Sequence, residues 1–191
     1  MNVRKLFIGL SILLGVCVLT AFALSANNSK TATGKTPNTF EVIDWEALVP
    51  KEWDPLKRYR DTKLDLMNDS DPKVLELMRD MRAAWDNAPT VAAMNGATVK
   101  IAGYLVPIEE TKKGMKQFLL VPYFGACIHS PPPPANQIIH VDVSKEIKGF
   151  RSMDTVWVSG TLSTHRQDSS MGKSGYKMDA VLVEHYSSQN R

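Results

Sequence analysis

The residues best suited to chemistry lie in one short stretch. It reads Val121-Pro122-Tyr123-Phe124-Gly125-Ala126-Cys127-Ile128-His129-Ser130, then Pro131 to Pro134, then Ala135-Asn136-Gln137. A thiolate and an imidazole two positions apart are donors suited to zinc or copper. Consecutive prolines adopt an extended polyproline II rod with no internal hydrogen bonds, rising about 3.1 Å per residue. Proline also biases the residue before it, here Ser130, towards extended geometry. Residues two apart in an extended chain point to one side. Cys127 and His129 are therefore expected to face a common point.

Two donors do not make a tight site, because a structural zinc takes four protein ligands and a catalytic zinc three plus water. His140 is the expected addition, and Asp142, His165, Asp168 and His185 are further candidates that spacing cannot rank. Two other readings of Cys127 stand beside zinc. One is a buried thiol near a hydrogen-bonded histidine. The other is a nucleophile with His129 or His140 as general base. No acidic orienter is placed by spacing, so no catalytic residue is assigned and the chain is read as non-enzymatic. His140 alternates with Ile139 and Val141 and shares a face with Asp142, which fits a partly exposed histidine bonded to a carboxylate. Tyr123, Phe124, Asn136 and the prolines Pro131, Pro132, Pro133 and Pro134 read as a docking surface for a partner's aromatic groove. The bland counterpart is a rigid loop packed on Tyr123, Phe124 or a tryptophan. No phosphate loop, dinucleotide fingerprint, nucleophile elbow or zincin helix is present.

The elements that must position these residues are mainly strands. Thr98–Ile108, Lys116–Val121, Gln137–Val143, Thr155–Thr164 and Tyr176–His185 are rich in β-branched and aromatic residues and bounded by turn formers. Lys112-Lys113-Gly114 joins the first two as a hairpin. Five short strands suit a small closed barrel of the OB type, since closure removes exposed edges. Before them, Ser70-Asp71-Pro72 starts a helix with a capping side chain and proline at its first position. Val74, Leu77, Met78, Met81 and Trp85 then fall on one face, expected to be a core face, and Asn87 and Pro89 end the helix. Phe40 to Val49 reads as a short helix or strand packed on the barrel. Arg166 to Gly175 reads as a polar, mobile loop. The fold expected is thus mainly β, a five-stranded OB-like barrel over residues 96–187 with a helical lead-in over 40–95.

The first 26 residues carry Arg4-Lys5 and then an uncharged apolar run, Leu6 to Leu24, of about 19 residues. That length lies between a cleavable signal and a retained anchor, and Ala21-Phe22-Ala23 and Ala23-Leu24-Ser25 both supply a cleavage site. Cys17 has the wrong flanks for lipidation. Positive charge before the run keeps that end cytoplasmic, so the remainder is expected to be translocated, either free in the periplasm or tethered to the inner membrane. Residues 27–39 read as a flexible tether. Beyond the targeting run Cys127 is the lone cysteine, with no intramolecular partner for a disulfide. Lys+Arg 23 against Asp+Glu 20 gives +3, and removing Arg4 and Lys5 leaves 21 against 20. That balance, together with export, excludes the basic footprint of a nucleic-acid binder.

The stretch Pro122 to His129 with its proline run and Asn136-Gln137 resembles the hallmark of exported bacterial proteins classed as a domain of unknown function. Gly103-Tyr104-Leu105-Val106-Pro107, Gly160-Thr161-Leu162 and the lead-in Trp45 to Pro55 extend the similarity to roughly Phe40 to Tyr186. The resemblance implies an OB-like barrel and a periplasmic or membrane-tethered location. It also implies association with transporter components of the ABC exporter type, some linked to zinc supply. It carries over no activity, and marks Tyr123, Cys127, His129 and Asn136 as candidates.

Overall fold

The computed structural model describes residues 40–57, 68, 70–127 and 132–187. The targeting segment, the tether, His129 and Pro131 lie outside the described residues. Eight strands follow in chain order: β1 (Glu41–Val42), β2 (Thr98–Thr111), β3 (Gly114–Val121), β4 (Ile139–Ile147), β5 (Thr155–Ser163), β6 (Gln167–Ser169), β7 (Gly172–Ser174) and β8 (Tyr176–His185). Among the described residues one α-helix, α1 (Pro72–Asp86), precedes the long strands. Among the described residues no helix is long and apolar enough to cross a membrane.

The long strands pair in the order β2-β3-β4-β8-β5, and β5 returns to β2 to close the barrel. All these pairings are antiparallel except β4 with β8, which run parallel with Ile139 opposite Tyr176 and Val143 opposite Ala180. This is the five-stranded OB arrangement, and closure leaves the long strands no free edge for a foreign strand to copy.

Alternation along each strand explains the core. Val99, Ile101 and Leu105 of β2, Phe118 and Leu120 of β3, and Ile139 and Val141 of β4 point inward. They meet Val156, Val158 and Leu162 of β5 and Tyr176 and Met178 of β8, all in one buried cluster. The five predicted strands are all present with small boundary changes. Ala135–Gln137 forms a 3₁₀ turn, so the third strand starts at Ile139 rather than Gln137 and continues to Ile147.

The lead-in plugs one flank of the barrel. Trp45 donates its indole N–H to the Ala102 carbonyl at 2.7 Å. Gly103 makes room for it, because a Cβ there would come within 2.9 Å of both Trp45 Cζ2 and Leu120 Cγ. The buried Tyr176 hydroxyl donates to the Leu48 carbonyl at 2.8 Å and accepts from the Val91 N–H at 2.7 Å.

Two expectations need correction. The α1 stripe is not wholly a core face: Val74 is buried and Leu77, Met81 and Trp85 are half-buried, but Met78 is 58 % exposed. The helix lies on the barrel's outside, so only part of its apolar arc finds cover. Its start is as read, with the Asp71 carboxylate accepting from the Lys73 N–H at 2.8 Å and Pro72 in the first turn. The second correction concerns Arg166 to Gly175, which contains the β6–β7 hairpin. Ser169 Oγ holds its turn, donating to the Gly172 carbonyl at 2.8 Å and accepting from the Met171 N–H at 3.2 Å. Arg166 ties the hairpin to the end of α1, donating to the Asp86 carbonyl at 2.6 Å and the Ala88 carbonyl at 3.2 Å. Cationic donors at a helix C-terminus satisfy carbonyls that lack intrahelical partners.

Candidate functional site

Outside the barrel wall lies a second, smaller apolar layer. Val106, Leu119, Val121, Ala126 and Ile138 are buried there, with Tyr104, Cys127, Met153 and Met171 packed against them. It exists because β2, β3 and the start of β4 carry apolar residues on their outward positions too, and the loop after β3 folds back over them.

That loop turns sharply at Pro122–Gly125. Gly125 has φ +81°, and its N–H points at the Met153 sulfur, 3.2 Å away. Cys127 (φ +66°) and Met153 (φ +69°) are the only non-glycine residues with positive φ among the described residues. A left-handed conformation at such residues costs on the order of 1–3 kcal/mol and persists where the surroundings hold it. Met153 is held by its N–H donating to the Leu105 carbonyl at 2.8 Å. The two left-handed residues therefore flank one turn. Cys127 is not in extended backbone, so the two-residue alternation expected to aim it alongside His129 does not operate at the cysteine.

The Cys127 thiol is half-buried against this layer, and burial pushes its pKa up to about 11, with the Arg82 guanidinium of α1 pulling the other way. A shift in this direction favours the thiol over the thiolate, whereas a nucleophilic cysteine is served by the reverse shift. Tyr123 is also raised, by burial first and by the neighbouring Cys127 second. Phe124 is 66 % exposed and Tyr123 41 %, and Phe124 meets Tyr104 edge-to-face with ring centroids 5.9 Å apart.

The described part of the proline run is packed rather than free. Pro133 is buried, and Pro134 has φ −55°, ψ 147°, the polyproline II geometry expected of it. The Pro132 carbonyl accepts from Arg82 Nη1 at 3.4 Å. Its ring lies against Gly172 of the hairpin, where a Cβ would stand 3.1 Å from Pro132 Cβ. Asn136 is fully buried, donating from Nδ2 to the Pro89 carbonyl at 3.0 Å. Among the described residues of the loop the aromatic pair is exposed, while Pro132 and Pro134 are half-buried.

His140 is 2 % exposed rather than partly exposed. It sits on the outer face of β4, opposite Leu119 of β3 and Lys177 of β8. Its Nε2 lies 3.4 Å from Asp142 Oδ1, and neither ring nitrogen has a hydrogen-bond partner among the described residues. Burial lowers its pKa below 6.5, outweighing the Asp142 charge that pulls it up. The Asp142 carboxylate is engaged elsewhere, accepting from Gln117 Nε2 at 2.8 Å and pairing with Lys177 Nζ at 2.8 Å. Burial pushes that carboxyl up, but the Lys177 and Gln117 hydrogen bonds outweigh it and hold the pKa below the usual value. His185 stacks on Phe150 at 4.4 Å, and Asp168 pairs with Lys173 at 3.7 Å in the hairpin. Among the described residues no three His, Cys, Asp or Glu side chains gather where a metal ion could be held. A zinc site at Cys127 would have to draw on His129, which lies outside them.

Sequence reasoning missed Arg82 and Met153, which reach the loop from 45 residues before and 26 residues after Cys127. Nothing in their local sequence points there. It also missed an open polar cleft of about 420 Å³ on the outer face of β2, β3 and β4, lined by Glu109, Thr111, Lys116, Gln117, Asp142 and Glu146 among others.

With this geometry in place, comparison with known proteins is informative. Residues 45–185 match the model of a family described as "Protein of unknown function (DUF3299)". Among solved structures, the chain is similar to a DUF3299 family protein from Pseudomonas aeruginosa PAO1, determined at 2.45 Å resolution. The two share 33 % identity with a TM-score of 0.59, covering 78 % of this chain and 97 % of that one. No curated protein matches.

Proposed function

The chain belongs to the DUF3299 family, for which no activity is described, and from that premise we propose that it is an exported accessory protein acting by contact rather than catalysis. It is held at the outer side of the inner membrane by its apolar run at residues 6–24 and supports an ABC-type transport system through the Tyr123–Cys127 turn. The observation that carries this reading is the geometry of the turn: Cys127 is held in a left-handed conformation beside two exposed aromatics, Tyr123 and Phe124. A turn held in a strained conformation suits a rigid presentation of contact residues. Aromatic side chains anchor interfaces at low entropic cost. The transporter as partner is supported by the family's resemblance alone.

The test is a photo-crosslinking amino acid at position 124 in the full chain, expressed in its own cells, with position 181 as control. An adduct with a transporter subunit from 124 and not from 181 is expected. Equal yields from both positions, or none from 124, would sink the reading. Zinc is settled separately by metal analysis of wild type and Cys127→Ser, where equal zinc removes Cys127 as a ligand.

A further inference from the structure

The described residues leave one apolar stripe of α1 uncovered. Leu75 (49 % exposed) and Met78 (58 % exposed) lie with Arg79 and Arg82 at positions i, i+3, i+4 and i+7, around a shallow cleft of about 490 Å³. At ~100° per residue these four share one side of the helix with Asp86, which neutralises Arg82, while Glu76 and Asp80 turn away from its centre. Arg82 binds Asp86 at 2.7 Å along the helix and reaches the Pro132 carbonyl, so the stripe is continuous with the loop that carries Cys127.

We propose that this Leu75–Met78–Arg79–Arg82 stripe seats α1 on an anionic phospholipid surface. An exposed apolar pair bordered by guanidinium groups is the pattern of a helix lying in the interface, with its hydrocarbon in the acyl boundary and its cations at phosphate level. The planar guanidinium fork matches phosphate oxygens, and a surface rich in anionic headgroups attracts nearby basic side chains. The chain outside the described residues supplies the proximity. Residues 25–39 separate the apolar run from the lead-in, and fifteen residues span at most about 54 Å. An anchored barrel meets the bilayer at high effective concentration, so a small stripe led by Leu75, Met78 and the Arg79 guanidinium can engage it. The inference rests on the anchored reading above and adds an orientation to it: seated on α1, the adjoining aromatic turn is held at the level of membrane-embedded partners.

The experiment uses the full chain with Cys17→Ser and Cys127→Ala, carrying a nitroxide at Met78→Cys, Leu75→Cys or, as control, Val181→Cys. The protein is placed in phosphatidylethanolamine vesicles with or without phosphatidylglycerol. Flotation reports the anchor, and oxygen against nickel-chelate accessibility reports label depth. The expected result is flotation in both lipids, with labels at 75 and 78 buried in the interface only when phosphatidylglycerol is present. The label at 181 stays in water, and Arg79→Glu returns the label at 78 to water. A floating chain whose label at 78 is as water-accessible as that at 181 overturns the stripe and leaves the anchor intact. A chain that does not float overturns both.

Discussion

The Tyr176 hydroxyl donates to the carbonyl of Leu48 across 128 positions of sequence, inside the protein and out of reach of solvent. The same oxygen accepts from the Val91 N–H, so a strand of the barrel holds two separate parts of the lead-in. Tyr176→Phe keeps the ring but leaves a buried carbonyl and an amide without partners. A loss of about 1–3 kcal/mol is expected, read as a lower denaturation midpoint at unchanged slope. A midpoint equal to wild type would mean that neither bond contributes.

Cys127 supplies a second prediction. Its pKa of about 11 lies two units above its ordinary 9.0, so the thiolate fraction near neutral pH falls about a hundredfold. Alkylation of the native protein should be slower than that of the unfolded chain by at least this factor, and should climb steadily with pH up to about 11. Arg82→Ala removes the charge that favours the thiolate and should slow the reaction further. Faster alkylation in the native state would restore the nucleophile reading.

His140 makes stability depend on pH. Burial places its folded pKa below 6.5, so between the folded and unfolded values the unfolded chain binds more protons. Stability is therefore complete above about 6.5 and declines as pH falls through that window. His140→Gln should flatten this limb in denaturant titrations. Asp142, whose folded pKa is depressed, stabilises above its ordinary 3.8 and adds a separate loss at lower pH. An unchanged slope between pH 6.5 and 5 in the His140 variant would show that the imidazole is not the group responsible.

Gly103 tests the fit of the lead-in. A methyl group there would stand 2.9 Å from Trp45, Leu120 and the Val121 carbonyl, and backbone cannot yield cheaply. Gly103→Ala should cost about 1–3 kcal/mol and loosen the Trp45 indole, seen as a shift in tryptophan emission.

The barrel was readable because its strands alternate. Val99, Ile101 and Leu105, or Ile139 and Val141, announce their inward face at every second residue. The helix start was readable for a similar local reason, since Asp71-Pro72 is capping chemistry. The β6–β7 hairpin was not, because its residues are polar on both faces and its turn is held by the single hydroxyl of Ser169. The exposure of Met78 was missed because periodicity shows which residues share a face but not how much of that face is covered. The turn at Cys127 fared worst. A proline run argued for extended chain, whereas the outer apolar layer and Met153 bend the backbone into the left-handed region. Contacts from Arg82 and Met153 leave no local trace.

Closure of the barrel has a bearing on when the protein can become itself. The strand that separates β4 from β5 is β8, which follows both of them in the chain. A nascent chain that has made everything up to Gly175 owns four of five staves and no hoop. Its core faces water until β8 emerges, and the lead-in waits for the same moment, because its fastener is the first residue of that strand. Closure of the barrel and fastening of the lead-in are thus one event, and both wait for β8.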